Sequence, residues 1–414
     1  MPALCAGVTL LSWSPASGAD GTWITNGSST WSNTANWTGG IIADGAGATG
    51  NFTTVNLLTG TRTVTIDTTS RTLGTLQIGD NNTTDLRAYI IAASGGASLV
   101  FDNGGSNAVL TQSATSAGDT ISAPVVLNSN LDITNLSATA TRVITLSTGG
   151  ISAGTAGTKT ISILGTAVGG VTFSGPITNG SGVIAIVKGN ANNALVLSGV
   201  NTFTGGVTLN AGTLNLNSAT ALGATASTLT ITGGTLASTA GSAITIANAN
   251  AMNWNGNFAF GGTQSLNVGT GAVTMNASRT VTVAGSGTYT VGGPIGDGGS
   301  GFALTTANGA SGLITGTLVL SGTNTYSGGT NINGGLVRFN SAAAIPATGL
   351  ITIGVDGALS VSGALATLAA WMASPQLSNT STGALSLAAN SAENFNPGAA
   401  GFNSVSLGAN LGTT

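Results

Sequence analysis

The chain has 414 residues, 66 of them Gly, with 41% apolar, 5% charged and 5% aromatic residues and a formal net charge of −3. An apolar fraction that high with so little charge excludes a disordered chain, which needs low hydrophobicity or high net charge. The eight basic residues, from Arg62 to Arg338, stand singly and give nucleic acid no electrostatic footprint, and no apolar run reaches the ~18 residues that would span a bilayer as a helix.

In chain order, residues 1–19 come first. Ala3 to Leu11 are apolar and small residues follow at Ala16 to Ala19, a pattern similar to the later part of a secretory signal peptide without its positive leading region. Export is expected, and the mature chain would lose its single cysteine, Cys5. Residues 20–55 are Trp-rich: with Trp13 just ahead, they hold Trp23, Trp31 and Trp37. Two readings compete for these rings. A solenoid end needs a cover for its apolar side chains and unpaired strand edges, which makes the segment an N-terminal cap. Exposed aromatic faces could instead form a sugar-stacking platform. The cap is preferred, because the tryptophans mix with turn residues and precede the first regular strands.

Residues 56–370 alternate apolar with small polar residues at pairs such as Val64/Ile66, Leu76/Ile78, Val281/Val283 and Tyr289/Val291, the period-2 pattern of a strand with one buried face. Val207 and Leu209 recur 22 residues later as Leu229 and Ile231, Leu214 as Leu236, and Ile244 and Ile246 as Leu266 and Val268. A 22-residue period is too short for a four-stranded propeller blade and suits one coil of a parallel β-helix. At one rung per ~22 residues and ~4.8 Å per rung, about 17 rungs would make a rod on the order of 80 Å long.

One duplication stands out. LVLSGVNTFTGGVTLNAGTLNLNSATAL at 195–222 matches LVLSGTNTYSGGTNINGGLVRFNSAAAI at 318–345 in 15 of 28 positions, and each copy follows a related segment, GPITNG from Gly175 and GPIGDG from Gly293. The offset changes from 118 to 123 between the segment and the motif, so a five-residue insertion falls between them. Asn201 and Asn324 are expected to form stacked amide ladders or Asx turns, and Phe203 and Tyr326 to pack beside the GG turn. Residues 371–414 read as a further, truncated β module.

The motif LSG-x-NT-[FY]-x-GG-x-x-x-N-x-G, at Leu197 to Gly212 and Leu320 to Gly335, resembles the passenger-associated, or autotransporter-associated, β-strand repeat. In that family a Lys-containing stretch usually precedes the motif; Lys188 in IVKGN fits, whereas TTANGASG before the second copy holds none. The opening TWSNTANWTGGIIADGAGATGNF is similar to the start of large surface proteins carrying these repeats. The resemblance implies an all-β, right-handed parallel β-helical passenger, outside or on the outer surface of a Gram-negative bacterium, commonly adhesive or structural.

Little in the chain can do chemistry. There is no His, and Glu393 is the one glutamate, so Ser-His-Asp, Cys-His and His/Cys zinc sites are excluded. Ten aspartates remain, and Asp80 and Asp102, 22 residues apart, could stack one rung above the other. The segment Gly79 to Asp85 offers oxygen ligands but not the order of an EF-hand loop, and an Asn-rich turn is preferred to calcium. Gly285 to Gly296 reads as tight turns, and Trp254 and Trp371 as packing residues. We therefore expect no catalytic, cofactor-binding or metal-binding residues. The expected function is a rigid extracellular rod, structural or adhesive, whose partners are copies of itself or surface glycans. A glycan-binding β-helix is the alternative, and a polysaccharide lyase or hydrolase using clustered aspartates is less favoured.

Overall fold

The protein is described from a computed structural model, in which residues 18–189, 192–309, 316–361, 376–378, 380–382 and 384–387 are placed. Cys5, Trp13, Trp371 and Glu393, with most of the leader-like segment and of the 371–414 module, lie outside the described residues.

Alternating Val, Ile, Leu and Thr favour short pleated strands, and Gly, Asn and Ser break them into turns. The chain coils accordingly into an all-β parallel solenoid. Sheet A has 12 strands, from Gly21–Thr22 to Ile295–Gly296, and sheet B has 14, from Ser29–Thr30 to Ile351–Ile353. A third side carries five strands, Arg71–Leu73 to Ile177–Gly180, and later seven, Ile244–Thr245 to Ala384–Leu387. Every pairing between named strands is parallel and links one rung to the next. Among the described residues the only helical pieces are three 3-10 turns.

Parity along each strand builds the core. On sheet A the inward column Leu131, Ile161, Ile186, Val207, Leu229, Met252, Val273, Ile295 lies in unbroken register, and every member is buried. Each such side chain contributes about 1.5–3 kcal/mol by leaving water. The outward column beside it reads Thr208, Thr230, Asn253, Thr274.

The 22-residue spacing is observed where the sequence showed it: Val207 pairs with Leu229, Leu214 with Leu236 and Ile244 with Leu266. The rung count is lower than that spacing predicts. The 14 strands of sheet B make about 13 turns of ~25 residues, so the rod is about 62 Å long at ~4.8 Å per rung. N-terminal rungs carry longer loops: Leu76 pairs with Leu110 and Ile133 with Ile163, 34 and 30 residues on.

The first rung packs an aromatic cluster. Trp23, Trp31 and Trp37 are buried, with Trp31 and Phe52 centroids 5.1 Å apart and Trp23 stacked on Phe52 at 5.4 Å. Their indole N–H groups donate to the carbonyl oxygens of Thr25, Ala43 and Trp31 respectively. The rings are thus closed off from any sugar, and the stacking-platform reading does not hold.

Candidate functional site: the paired repeat

The two copies of the repeat are built alike and sit on different sides of the solenoid. In the first, Ala194–Leu197 lies on sheet B and Val207–Leu209 on sheet A, so the loop between them covers the third side. In the second, Thr317–Leu320 lies on the third side and Thr330–Ile332 on sheet B, so the same loop covers the side of sheet A. The second copy is rotated by one side.

Each loop closes a sheet. Ile177–Gly180 is the last of the third side's five strands, and Ile295–Gly296 is the last strand of sheet A. A last strand leaves backbone groups that need partners. Asn201 supplies one: its Oδ1 accepts from the Ile177 amide at 3.0 Å and its Nδ2 donates to the Ala221 carbonyl at 3.1 Å. The Thr202 amide takes the Ile177 carbonyl at 2.9 Å. In the second copy the Asn324 Oδ1 accepts from the Ile295 amide at 2.9 Å, its Nδ2 donates to the Ala344 carbonyl, and the Thr325 amide takes the Ile295 carbonyl at 2.8 Å. Of the two expected arrangements, amide ladders or Asx turns, these hydrogen bonds form neither; each asparagine bridges three successive rungs by itself. A stacked amide pair does occur elsewhere, where Gln112 Nε2 donates to Asn135 Oδ1 at 3.0 Å.

The rest of the motif serves the same closure. Phe203 and Tyr326 are buried beneath the loops, and the Tyr326 hydroxyl meets Thr330 Oγ1 at 2.7 Å. A Cβ on Gly205 would strike the Ile184 carbonyl, and one on Gly328 the backbone at Gly301 and Phe302. The second glycine of each pair, Gly206 or Gly329, has φ of +89° or +90°, a region that favours glycine. Gly199 lies against the Gly175 backbone and Gly322 against Gly293. GPI is thus repeated because it is the rung on which the loop docks.

Two segments, 193–216 and 315–338, match the family model of the passenger-associated-transport-repeat. The chain carries two passenger-associated transport repeats. Comparison with curated proteins and with solved structures gives no match. The passenger repeats and the β-solenoid together support a surface passenger domain.

The aspartates singled out by spacing are not brought together. Asp102 follows Phe101, which pairs with Leu73 and Leu127, so its rung neighbours are Gly74 and Asn128 rather than Asp80. Asn128 Nδ2 donates to Asp102 Oδ2 at 3.3 Å. Asp80 is buried and its carboxylate accepts from the amides of Leu57, Asn82 and Arg87. Asn82 Oδ1 accepts from Thr84 and Asp85, and Asp85 pairs with Arg87 at 2.6 Å. Gly79 to Asp85 is thus a turn whose oxygens hold its own backbone. Among the described residues, no group of three or more acidic, His or Cys side chains is placed to hold a metal.

The burial of two ionisable groups, Asp119 and Lys188, was not read from the sequence. Asp119 shares parity with Ile121, and Lys188 with Ile184 and Ile186, so alternation alone directs both inward. Burial raises the Asp119 carboxyl, the Tyr89 amide and Ser116 hydroxyl oppose the rise, the Asp80 charge adds to it, and the result is about 7. Burial lowers the Lys188 ammonium to about 8. Asp297 goes the other way: burial opposes its ionisation, but the Ser327 hydroxyl and the amides of Ser327, Gly299 and Phe302 outweigh it and hold the carboxyl at about 2. It ties the turn after sheet A's last strand to the second repeat loop.

Proposed function

We propose that the chain is a non-catalytic passenger on the outside or outer surface of a Gram-negative cell, serving as a rigid structural or adhesive rod that associates with copies of itself. The observation that carries this reading is the presence of two passenger repeats inside one continuous parallel solenoid. Self-association draws support from the surface. The chain has 19 charged residues among 414, 8 basic and 11 acidic, so copies repel one another weakly. Outward columns such as Thr208, Thr230, Asn253, Thr274 present hydroxyls and amides for lateral hydrogen bonds. The non-catalytic reading draws on the aspartates: Asp80, Asp102 and Asp297 each accept hydrogen bonds that fix backbone turns or a neighbouring rung. Light scattering over rising concentration tests the self-association. Growth in mass is expected, and a monomer at the highest concentration contradicts it.

A further inference from the structure

A groove of about 320 Å³ opens beside the first repeat, lined by residues contributed by successive strands of sheet B and the loops that flank them. Val143, Val168 and Val196 give it an apolar wall, and Thr213, Asn193 and Asn215 give it polar groups. Asn215 lies between Leu214 and Leu216, which face the core, so its side chain takes the outer face, where it lines the groove. It is only 4% exposed, and its Oδ1 has no hydrogen-bond partner among the described residues. Asn193 is 3% exposed, and among the described residues neither atom of its amide has one. A buried amide without a partner costs folding free energy that a ligand donor can recover.

The lining selects the ligand's chemistry. Among the described residues that line it none is charged, which disfavours phosphates, uronic acids and basic peptides. Small-molecule sites begin near ~300 Å³, so this one suits a ligand of about one ring. A pyranose combines hydroxyl donors with an apolar C–H face, matching amide and hydroxyl groups set beside valines. The second repeat departs from this lining at the corresponding positions: Arg338 stands at the position of Asn215, and Val319, at the position of Val196, is buried.

We infer that this groove binds a neutral saccharide ring, with a sugar hydroxyl donating to Asn215 Oδ1 and the C–H face resting on the valines. The site goes beyond the rod function and does not depend on self-association. Saturation-transfer NMR on the full chain, with glucose, galactose, mannose and N-acetylglucosamine at millimolar concentration, tests it. Transfer to at least one sugar is expected, with affinity about tenfold weaker in Asn215→Leu, equivalent to about 1.4 kcal/mol, and weakened also in Thr213→Val. Far-ultraviolet circular dichroism of both variants should match the parent chain. No transfer to any of the four sugars, undiminished transfer in a folded Asn215→Leu, or binding of tetra-alanine in place of sugar would overturn the inference. Sugar binding by a strictly monomeric chain would sink the self-association and leave the groove standing.

Discussion

The amide of Ile177 is held by the side chain of Asn201, 24 residues later in the chain and one rung away, at 3.0 Å. The same bond joins Ile295 and Asn324 at 2.9 Å, across 29 residues and on another side of the solenoid. In both places it lies where a sheet stops. The repeat therefore acts as a clasp that lets the coil change from three strands per rung to two without leaving an open edge.

Removing the clasp should be costly. Asn201→Leu leaves the Ile177 amide and the Ala221 carbonyl buried without the side-chain partner, and each such loss costs about 1–3 kcal/mol. Asn324→Leu should behave alike at Ile295 and Ala344. Urea denaturation of the two variants, compared with an outward Thr230→Ser change on sheet A, measures the difference.

The glycine pairs make a second, steric prediction. Gly205→Ala or Gly328→Ala drives a methyl into the backbone of the preceding rung and should lower the melting temperature by several degrees. Gly241→Ala meets nothing within 4 Å and should leave it within experimental error. Equal effects at the three positions would remove the steric account of the GG pair.

Titration of the interior has a defined sign. Asp119 has its carboxyl raised from 3.8 to about 7 on folding, so the folded state holds its proton more tightly. The stability this brings is complete below about pH 4, declines as pH rises toward 7, and changes no further above it; the decline is on the order of 4 kcal/mol at most. Asp119→Asn should flatten that limb of a plot of urea midpoint against pH. Lys188 is lowered from 10.5 to about 8, so stability should climb between about pH 8 and 10.5, and Lys188→Met should abolish the climb.

The first-rung tryptophans are buried packing groups. Trp31→Ala should destabilise the chain by about 3–5 kcal/mol through lost burial and the cavity left behind, and iodide should fail to quench Trp23, Trp31 and Trp37. Quenching at these residues would mean that their faces are open to solvent and would restore the sugar-platform reading.

Much of this architecture was legible in the sequence, at particular residues. Strand parity and the spacing of Val207 from Leu229 and Ile244 from Leu266 correspond directly to register. The rung count was overestimated because turn length is free wherever loops leave the coil, as between Leu76 and Leu110. Asp80 and Asp102 were paired by the same uniform spacing and fail for the same reason. Parity marks Asp119 and Lys188 as inward, although a charged residue in an apolar alternation is easily taken for an interruption. The rotation of the second repeat has no sequence signature, since an alignment of the two copies does not show which side of the coil each occupies. The partner of Asn201 was visible only indirectly, in the repetition of GPI ahead of both motifs.

Amide hydrogen exchange resolved to single residues tests the clasp most directly. Ile177 and Ile295 begin the last strands of their sheets, and they should nonetheless exchange as slowly as Val207 or Leu229 in the core. Asn201→Leu should release Ile177 and leave Ile295 protected, with the converse for Asn324→Leu. Fast exchange at Ile177 and Ile295 in the parent chain would contradict the account.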